Sequence, residues 1–387
     1  MPDIFDIIVI GAGPSGLSAA LAALAARPKP SVLLVDGEAP WEKPIACAEG
    51  VWTDQFYGEL DVRPEWVRFK ISTLVLHSAN DTRVSHFAKE AGCIINRALM
   101  QRDLAARCAA LGAEIRLNAR VAGVGPEKDS LREVRFADAN AARARVVIDG
   151  SGPIAGFGKN EKLHSKPPDL EPAYFVIAEN AGIRQDEIHV HLGSTVAPGG
   201  YAWAFPREAN GANIGLVIGA SHRGKVDIKK LLDSFLAAHY PSAIVKGRFA
   251  GAIPCGGKPL TVAASRFIKA GDAASMVNPF SRAGIMEAVI SGNLAGHCAC
   301  AMLSANSPGK MLAACKDYQK RWYRVLGKKQ EKLAKAKDAL FKIPDADYND
   351  AFEALSKIPP DKRSITKIIG LSLGRFPRLV FAMRHLL

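Results

Sequence analysis

Long hydrophobic runs are missing from this 387-residue chain. No stretch of about 18 or more uncharged apolar residues occurs, which argues against a membrane-spanning helix. No secretory leader is expected from the first residues either. The start, MPDIFDIIVIGAG, is acidic, and its apolar run enters a glycine turn instead of a cleavage site. The expectation is a cytoplasmic protein. Cysteine is scarce and scattered, at Cys47, Cys93, Cys108, Cys255, Cys298, Cys300 and Cys315. The count is odd and no CxxC pair occurs, so neither a disulfide framework nor a cysteine metal site is expected, and a reducing compartment fits. Most of these cysteines read as small buried hydrophobes. Acidic residues are also short, at 38 against 51 Lys and Arg. The deficit is uneven, because from Ala301 to Leu387 there are 18 basic against 8 acidic residues. Such a tail suits an anionic partner, either nucleic acid or an anionic membrane surface.

Aromatic residues make up only 7% of the chain, with 5 Trp and 7 Tyr. Their clustering in PGGYAWAFPREANGANIGLVIG, residues 198–219, is therefore informative. Strand alternation puts Tyr201, Trp203 and Phe205 on one face and Ala202 and Ala204 on the other. The aromatic face suits a long apolar pocket or an ordinary core cluster. The small alanines suit close approach of a second domain or of backbone.

The N-terminal third carries the most specific pattern. IFDIIVI reads as a buried strand, GAGPSG follows, and LSAALAALAAR reads as a helix. SVLLVDGE is a second buried strand ending in Asp36, twenty residues after Gly16. A bare GxGxxG is a weak signal, but between a strand and a helix, with the acid at this distance, it is a dinucleotide fingerprint. Gly11 makes the tight turn, Gly13 admits a pyrophosphate, and Gly16 allows close helix–strand packing. Pro14 and Ser15 open the helix whose free N–H groups face the phosphates. Asp36 suits a ribose without a 2′-phosphate, in FAD or NAD. A helix is expected over about 97–111 and a strand over about 114–124. VVIDGSG brings Gly150 to a strand end. RFIKAGDAASMVNPFSRAGIMEAV brings Gly271 and Asp272 to another, followed by Pro279 and a helix opening at Gly284 and Ile285. That Asp suits a polyol such as a ribityl chain, and that helix start suits negative charge on a reduced flavin ring.

GxGxxG, DGSG and GDAA…NP…GI, in this order and spacing, resemble the FAD-binding fold of the para-hydroxybenzoate hydroxylase group. NRALMQRDLAARCAALGAEIRLNARV is similar to a further segment of that group. The resemblance implies FAD, with Arg97 on the flavin side and Val121 as a backbone contact near the adenine. Gln101 stands where the group usually has Asp. Two more features resemble the geranylgeranyl reductase family. CAEG, Cys47 to Gly50, is similar to its C-G-E-G loop, with Ala48 for Gly. PGGYAWAFP matches its P-x-x-Y-x-W-x-F-P at Pro198, Tyr201, Trp203, Phe205 and Pro206. The turn usually written GEG in that family is RAG here, Arg282 to Gly284. The resemblance spans roughly residues 5–300.

It implies a reductase that saturates C=C bonds of a prenyl chain on a lipid, pyrophosphate or quinone. The alternative is a monooxygenase or halogenase on the same scaffold, or a flavin- or lipid-binding protein without activity. Cys47, Glu49 and Tyr201 are the candidate proton-handling residues, Cys47 and Ala48 also lie in the flavin-side loop, and Tyr201, Trp203, Phe205 and Pro206 are the candidate pocket. The electron donor is expected to be NAD(P)H bound transiently or a ferredoxin-like protein, since no second GxGxxG occurs. The fold class is α/β with α+β elaboration: an FAD-binding domain from 1–75, 93–165 and 262–300, a β-rich substrate domain from 76–92 and 166–261, and a basic helical region over 301–387. KRWYRVLGKKQEKLAKAK and SITKIIGLSLGRFPRLVFAMRHLL in that region suit an anionic membrane surface or simply close the domain. With no nucleic-acid motif, nucleic acid is not the expected partner. A monomer or weak oligomer is expected.

Overall fold

A computed structural model of the chain describes residues 3–359, apart from 155, 159–160, 162, 164–168, 209 and 258–259. The side chains of 87–90 are also left undescribed. Residues 364–387, expected either to meet an anionic membrane surface or to close the domain, lie outside the described residues.

In chain order, β1 (Ile4–Ile10), α1 (Pro14–Leu24) and β2 (Val32–Val35) come first. Then follow β3 (Gly50–Trp52), α2 (Thr53–Glu59), β4 (Val67–His77) and β5 (Arg83–Ile95). Next are α3 (Arg97–Ala110), β6 (Glu114–Arg116), β7 (Val121–Val124), β8 (Arg132–Phe136) and β9 (Ala141–Asp149). The middle of the chain gives β10 (Leu170–Glu179), β11 (Glu187–His191), β12 (Tyr201–Pro206), β13 (Gly211–Val217), α4 (Ile228–His239) and β14 (Ile244–Pro254). Last come β15 (Ala263–Ala264), β16 (Phe267–Lys269), α5 (Ile285–Leu303), α6 (Pro308–Trp322), α7 (Lys328–Leu340) and α8 (Asp345–Ser356).

The chain divides into two compact units. The first holds Met1–Ile45, Arg97–Asp169 and Pro254–Glu331. Its sheet runs β15-β16-β9-β1-β2-β6, with β8 and β7 extending from β9. β1 is flanked by parallel β2 and β9, and Ile7 to Ile10 are buried, as a strand covered on both faces requires. Helix α1 begins on Pro14 at its first position, where the missing N–H costs nothing. It packs on α5 through small residues: a Cβ on Gly292 would run into the Ser15 carbonyl, and one on Gly296 into that of Ala19. The expected strand over 114–124 is two short strands, because the chain turns through Asn118 in the left-handed region before β7.

The second unit holds Ala46–Asn96, Leu170–Ile253 and Lys332–Leu387. Residues 46–75, placed in the first domain on sequence grounds, group here instead. The reason is strand pairing: β4 lies between β5 and β11 in the sheet β14-β10-β13-β12-β11-β4-β5-β3. Helix α4 covers one face of this sheet. Asp227 caps it by accepting from the N–H groups of Lys229 and Lys230. Its apolar residues Leu232, Phe235 and Leu236, at helical spacing, bury against Tyr174, Val176, Ile214 and Leu216. Each such side chain contributes roughly 1.5–3 kcal/mol by leaving water. The basic segment over 320–337 is not a free amphipathic surface throughout. Trp322, Gln330 and Lys337 are buried, and Lys337 Nζ pairs with Glu171 at 2.8 Å. Among the described residues no helix is long and apolar enough to cross a membrane.

Candidate functional site

In the first unit, register assembles the cradle. Ile10 lies beside Val35 and Asp149, and Asp149 beside Lys269, so β1, β2, β9 and β16 end level. Gly11, Asp36 and Gly150 are the residues just past the first three ends, and Gly271 follows β16 after Ala270. Ligands of open α/β sheets bind at this carboxyl edge. Gly11 has φ +101°, and a Cβ there would strike the Gly150 carbonyl; a Cβ on Gly16 would strike that of Gly11. Gly13 differs, since a Cβ there meets nothing within 4 Å. The turn is thus packed tightly from within and open where a pyrophosphate would lie. Pro14 and Ser15 form the first turn of α1.

Asp36 accepts from the N–H groups of Ala12 (2.7 Å) and Glu38 (3.0 Å), which locks the glycine turn to the end of β2. Its carbonyl accepts from Ala119 N, two residues before Val121, so the segment expected near the adenine is stitched to the acid expected at the ribose. Arg97 Nε donates to Gln101 Oε1 at 2.7 Å, and Gln101 Nε2 donates to the Ala12 carbonyl at 3.3 Å. Gln101 is fully buried. The residue that departs from the usual Asp therefore ties Arg97 to the glycine turn, a job for which an amide, donor and acceptor at once, is suited.

Asp272 lies in a short 3₁₀ turn after Gly271. Burial pushes its carboxyl up to about 6, against an opposing pull from Arg97. Glu287, in the first turn of α5, is pushed up to about 7, chiefly by burial and further by Asp272. Gly284 caps α5 without a side-chain hydrogen bond, which leaves its first N–H groups and the positive end of its dipole for a ligand. The Pro279 turn is braced by Asn278, whose Oδ1 accepts from Phe280 N and Ser281 N. Arg282 sits in it at φ +58°, buried, with Nη1 donating to the Phe280 carbonyl at 2.9 Å. The open Gly13, the level strand ends and the uncapped α5 fit a dinucleotide with an anionic ring system. Cys47, Ala48, Glu49 and the aromatic residues are not in this unit.

In the second unit, Tyr201, Trp203 and Phe205 do share a face. They join Phe175 of β10 and Phe249 in one cluster with Ala48. Tyr201 and Trp203 meet edge to face at 6.3 Å, and Phe175 stacks on Phe249 at 5.2 Å. Trp203 lies across Gly215, where a Cβ would fall 2.6 Å from its ring. The face of the small alanines, which suited close approach of a second domain or of backbone, is taken by a helix of the same unit. Ala202 and Ala204 pack in the core under α4, because that helix covers their face. Pro206 takes their side of the strand by parity, so it does not share the aromatic face.

The loop before β3 is held to this wall. Trp203 Nε1 donates to Asn213 Oδ1 at 2.8 Å, and Asn213 Nδ2 donates to the Cys47 carbonyl at 2.9 Å. The Phe205 ring lies against Gly50, 3.2 Å from where a Cβ would be. Cys47 is half-buried, and its Sγ accepts from Glu49 N at 3.2 Å. Glu49 is buried, has φ +62°, and pairs with Arg207 Nη1 at 3.1 Å. Its carboxylate is therefore held by an ion pair, and of the loop's two reactive groups the thiol is the more accessible. Asn213 and Arg207 were not singled out from the sequence. A signal existed for Asn213, a lone amide inside the buried strand GANIGLV, where a polar side chain needs partners.

Residues 169–250 match the geranylgeranyl reductase catalytic domain, and residues 6–166 match the lycopene cyclase protein family. The chain is 27% identical to digeranylgeranylglycerophospholipid reductase 1 of Methanococcoides burtonii, covering 100% of this chain and 96% of that one. It is 29% identical to the digeranylgeranylglycerophospholipid reductase of Methanocella arvoryzae over 97% of both chains. A geranylgeranyl bacteriochlorophyll reductase-like protein from Thermoplasma acidophilum has the same fold, with a TM-score of 0.87, 21% identity and full coverage of both chains. With the cradle and the aromatic wall, these matches make the chain similar to geranylgeranyl reductases along its whole length.

Proposed function

We propose that this protein is an FAD-dependent reductase that saturates C=C bonds of geranylgeranyl chains carried on a lipid. The observation that carries the reading is the aromatic wall of Tyr201, Trp203 and Phe205 with the Cys47–Gly50 loop hydrogen-bonded to it through Asn213. Full-length similarity to lipid-acting reductases supports it and disfavours a monooxygenase or halogenase. When bound, FAD supplies a hydride. The glycine turn and the α5 N-terminus would hold it, with Arg97 and Asp272 beside them. An isolated alkene offers no carbonyl to polarise, so the chain's own contribution is chiefly position and exclusion of water. Tyr201, Trp203 and Phe205 line an apolar surface for the prenyl chain. The Cys47 thiol holds a proton at Sγ for the second alkene carbon, with the Tyr201 hydroxyl as the other candidate. Electrons come from NAD(P)H or a ferredoxin-like protein. A lipid substrate fits a basic tail that rests on an anionic membrane surface, a reading carried by the sequence of 364–387.

The test is anaerobic. Dithionite-reduced enzyme is mixed with geranylgeranyl lipids, and product mass is followed in steps of about two mass units per double bond, for one hydride and one proton. Mass gain with flavin reoxidation supports the reading. No gain with any prenyl lipid overturns it, as does a parallel aerobic assay in which turnover requires and consumes O₂.

A further inference from the structure

Four of the chain's nine histidines gather in one place on the face of the second sheet opposite the aromatic wall. His189 and His191 are two residues apart on β11, where they pair with Ala204 and Ala202 on the α4 side. His77, at the end of β4, is in register with His191. The His77 and His191 rings stack at 3.9 Å, 9° from parallel. His77 Nε2 is 3.1 Å from His189 Nδ1, and its Nδ1 is 2.9 Å from Asp81 Oδ1. His239, at the end of α4, brings its Nδ1 to 3.9 Å from the same oxygen. The flavin chemistry proposed above uses none of these groups.

We propose that His77, Asp81 and His191 form a binding site for a divalent transition metal of the zinc class. Each offers one ligand atom, and the three atoms lie within 4.8 Å of one another. Zinc bonds of about 2.0–2.2 Å set tetrahedral ligands roughly 3.4 Å apart, and imidazole binds through a lone pair in its ring plane, so the stacked rings turn out of their parallel arrangement to converge on the ion. Two imidazoles and one carboxylate suit zinc, cobalt or iron, whereas calcium and magnesium take oxygen ligands. Surrounding groups hold the neighbouring rings: Glu187 Oε2 lies 3.4 Å from His189 Nε2, and the Tyr240 hydroxyl 3.2 Å from His191 Nε2. Asp81 is the exposed member, with 57% of its side chain accessible, and gives the ion a way in. The bound ion clamps the Ser78–Thr82 turn to β11. The site is independent of the reductase reading.

The experiment uses the full chain, purified with its flavin and without a histidine tag, then stripped by EDTA. Zn²⁺ and Co²⁺ are titrated against thermal melting and, for Co²⁺, visible absorption. One ion per chain, a raised Tm and no response to Mg²⁺ are expected. Asp81→Asn and His191→Gln weaken Zn²⁺ binding by about tenfold or more, whereas His297→Gln, on the exposed side of α5, leaves it unchanged. Asp81→Asn alters an exposed side chain, and a retained flavin spectrum with cooperative melting verifies its fold. A folded wild-type chain that takes up no zinc or cobalt overturns the proposal, as does binding that survives both ligand substitutions.

Discussion

Asn213 is a single amide that satisfies two buried partners, the Trp203 indole and the Cys47 carbonyl. Asn213→Ala leaves both unpaired and is expected to cost about 1–3 kcal/mol of stability, readable by denaturant unfolding. It also frees the Cys47 loop, so reduction of a prenyl lipid slows even in the variant fraction that remains folded. Tyr201 poses a different question, because its ring packs edge-on against Trp203 while its hydroxyl is a candidate proton source. Tyr201→Phe keeps the ring. If the hydroxyl delivers the proton, substrate-driven flavin reoxidation falls by roughly 10²–10⁴-fold, the usual worth of a general acid; an unchanged rate confines Tyr201 to shaping the pocket. At this scale the sequence was legible where a residue type is dictated by its own backbone, as at Gly11. It was opaque where a role depends on a partner far along the chain. Glu49 reads as a proton carrier until Arg207 is found 3.1 Å away.

The β1–α1 turn separates two uses of glycine within one motif. Gly16 carries the close approach of helix to strand, and Gly13 faces open space. Gly13→Ala is therefore expected to leave the unfolding free energy of the apoprotein nearly unchanged while weakening FAD by tenfold or more, about 1.4 kcal/mol. Gly16→Ala is expected to destabilise the apoprotein itself, by about 1–3 kcal/mol for overpacking. Flavin titration and chemical denaturation, run on both, separate the two roles; equal effects on both readouts would contradict the assignment. Element identity was legible from periodicity: β1, α1, β2, α3 and α5 fall where the sequence puts them. The second-unit membership of β3 and β4 was not, because which strand pairs with which is settled by register between segments over a hundred residues apart, as for β4 and β11.

For the molecule as a whole, two buried carboxyls in the cradle make apoprotein stability depend on pH. Burial pushes the Glu287 carboxyl up to about 7 in the folded chain, from its ordinary 4.5. The stability tied to its protonated form is complete below 4.5 and is lost as pH rises through 7. Asp272, raised to about 6, acts in the same sense over a lower window. The histidines of the second unit act oppositely. His189 is lowered to about 4, so its contribution is present above the usual value of 6.5 and is lost as pH falls towards 4. Glu287→Gln isolates one term: the variant should gain on the wild type between pH 5 and pH 8, by on the order of 3 kcal/mol if the full shift is expressed. Denaturation midpoints of both apoproteins at the two pH values check this, and a pH-independent difference would contradict the buried-carboxyl account.

By itself the sequence determined the cofactor fold, because its signals are local: a buried strand, a glycine turn, a helix start and an acid at fixed spacing each follow from backbone sterics and hydrogen bonding. It also determined the aromatic face of β12, because side chains alternate along any strand. Only the tertiary structure decided which face of that strand is covered by α4, which residues hold the Cys47 loop, and that four histidines from β4, β11 and α4 meet. Those outcomes depend on strand register and helix packing between distant segments, and no short stretch of sequence encodes them.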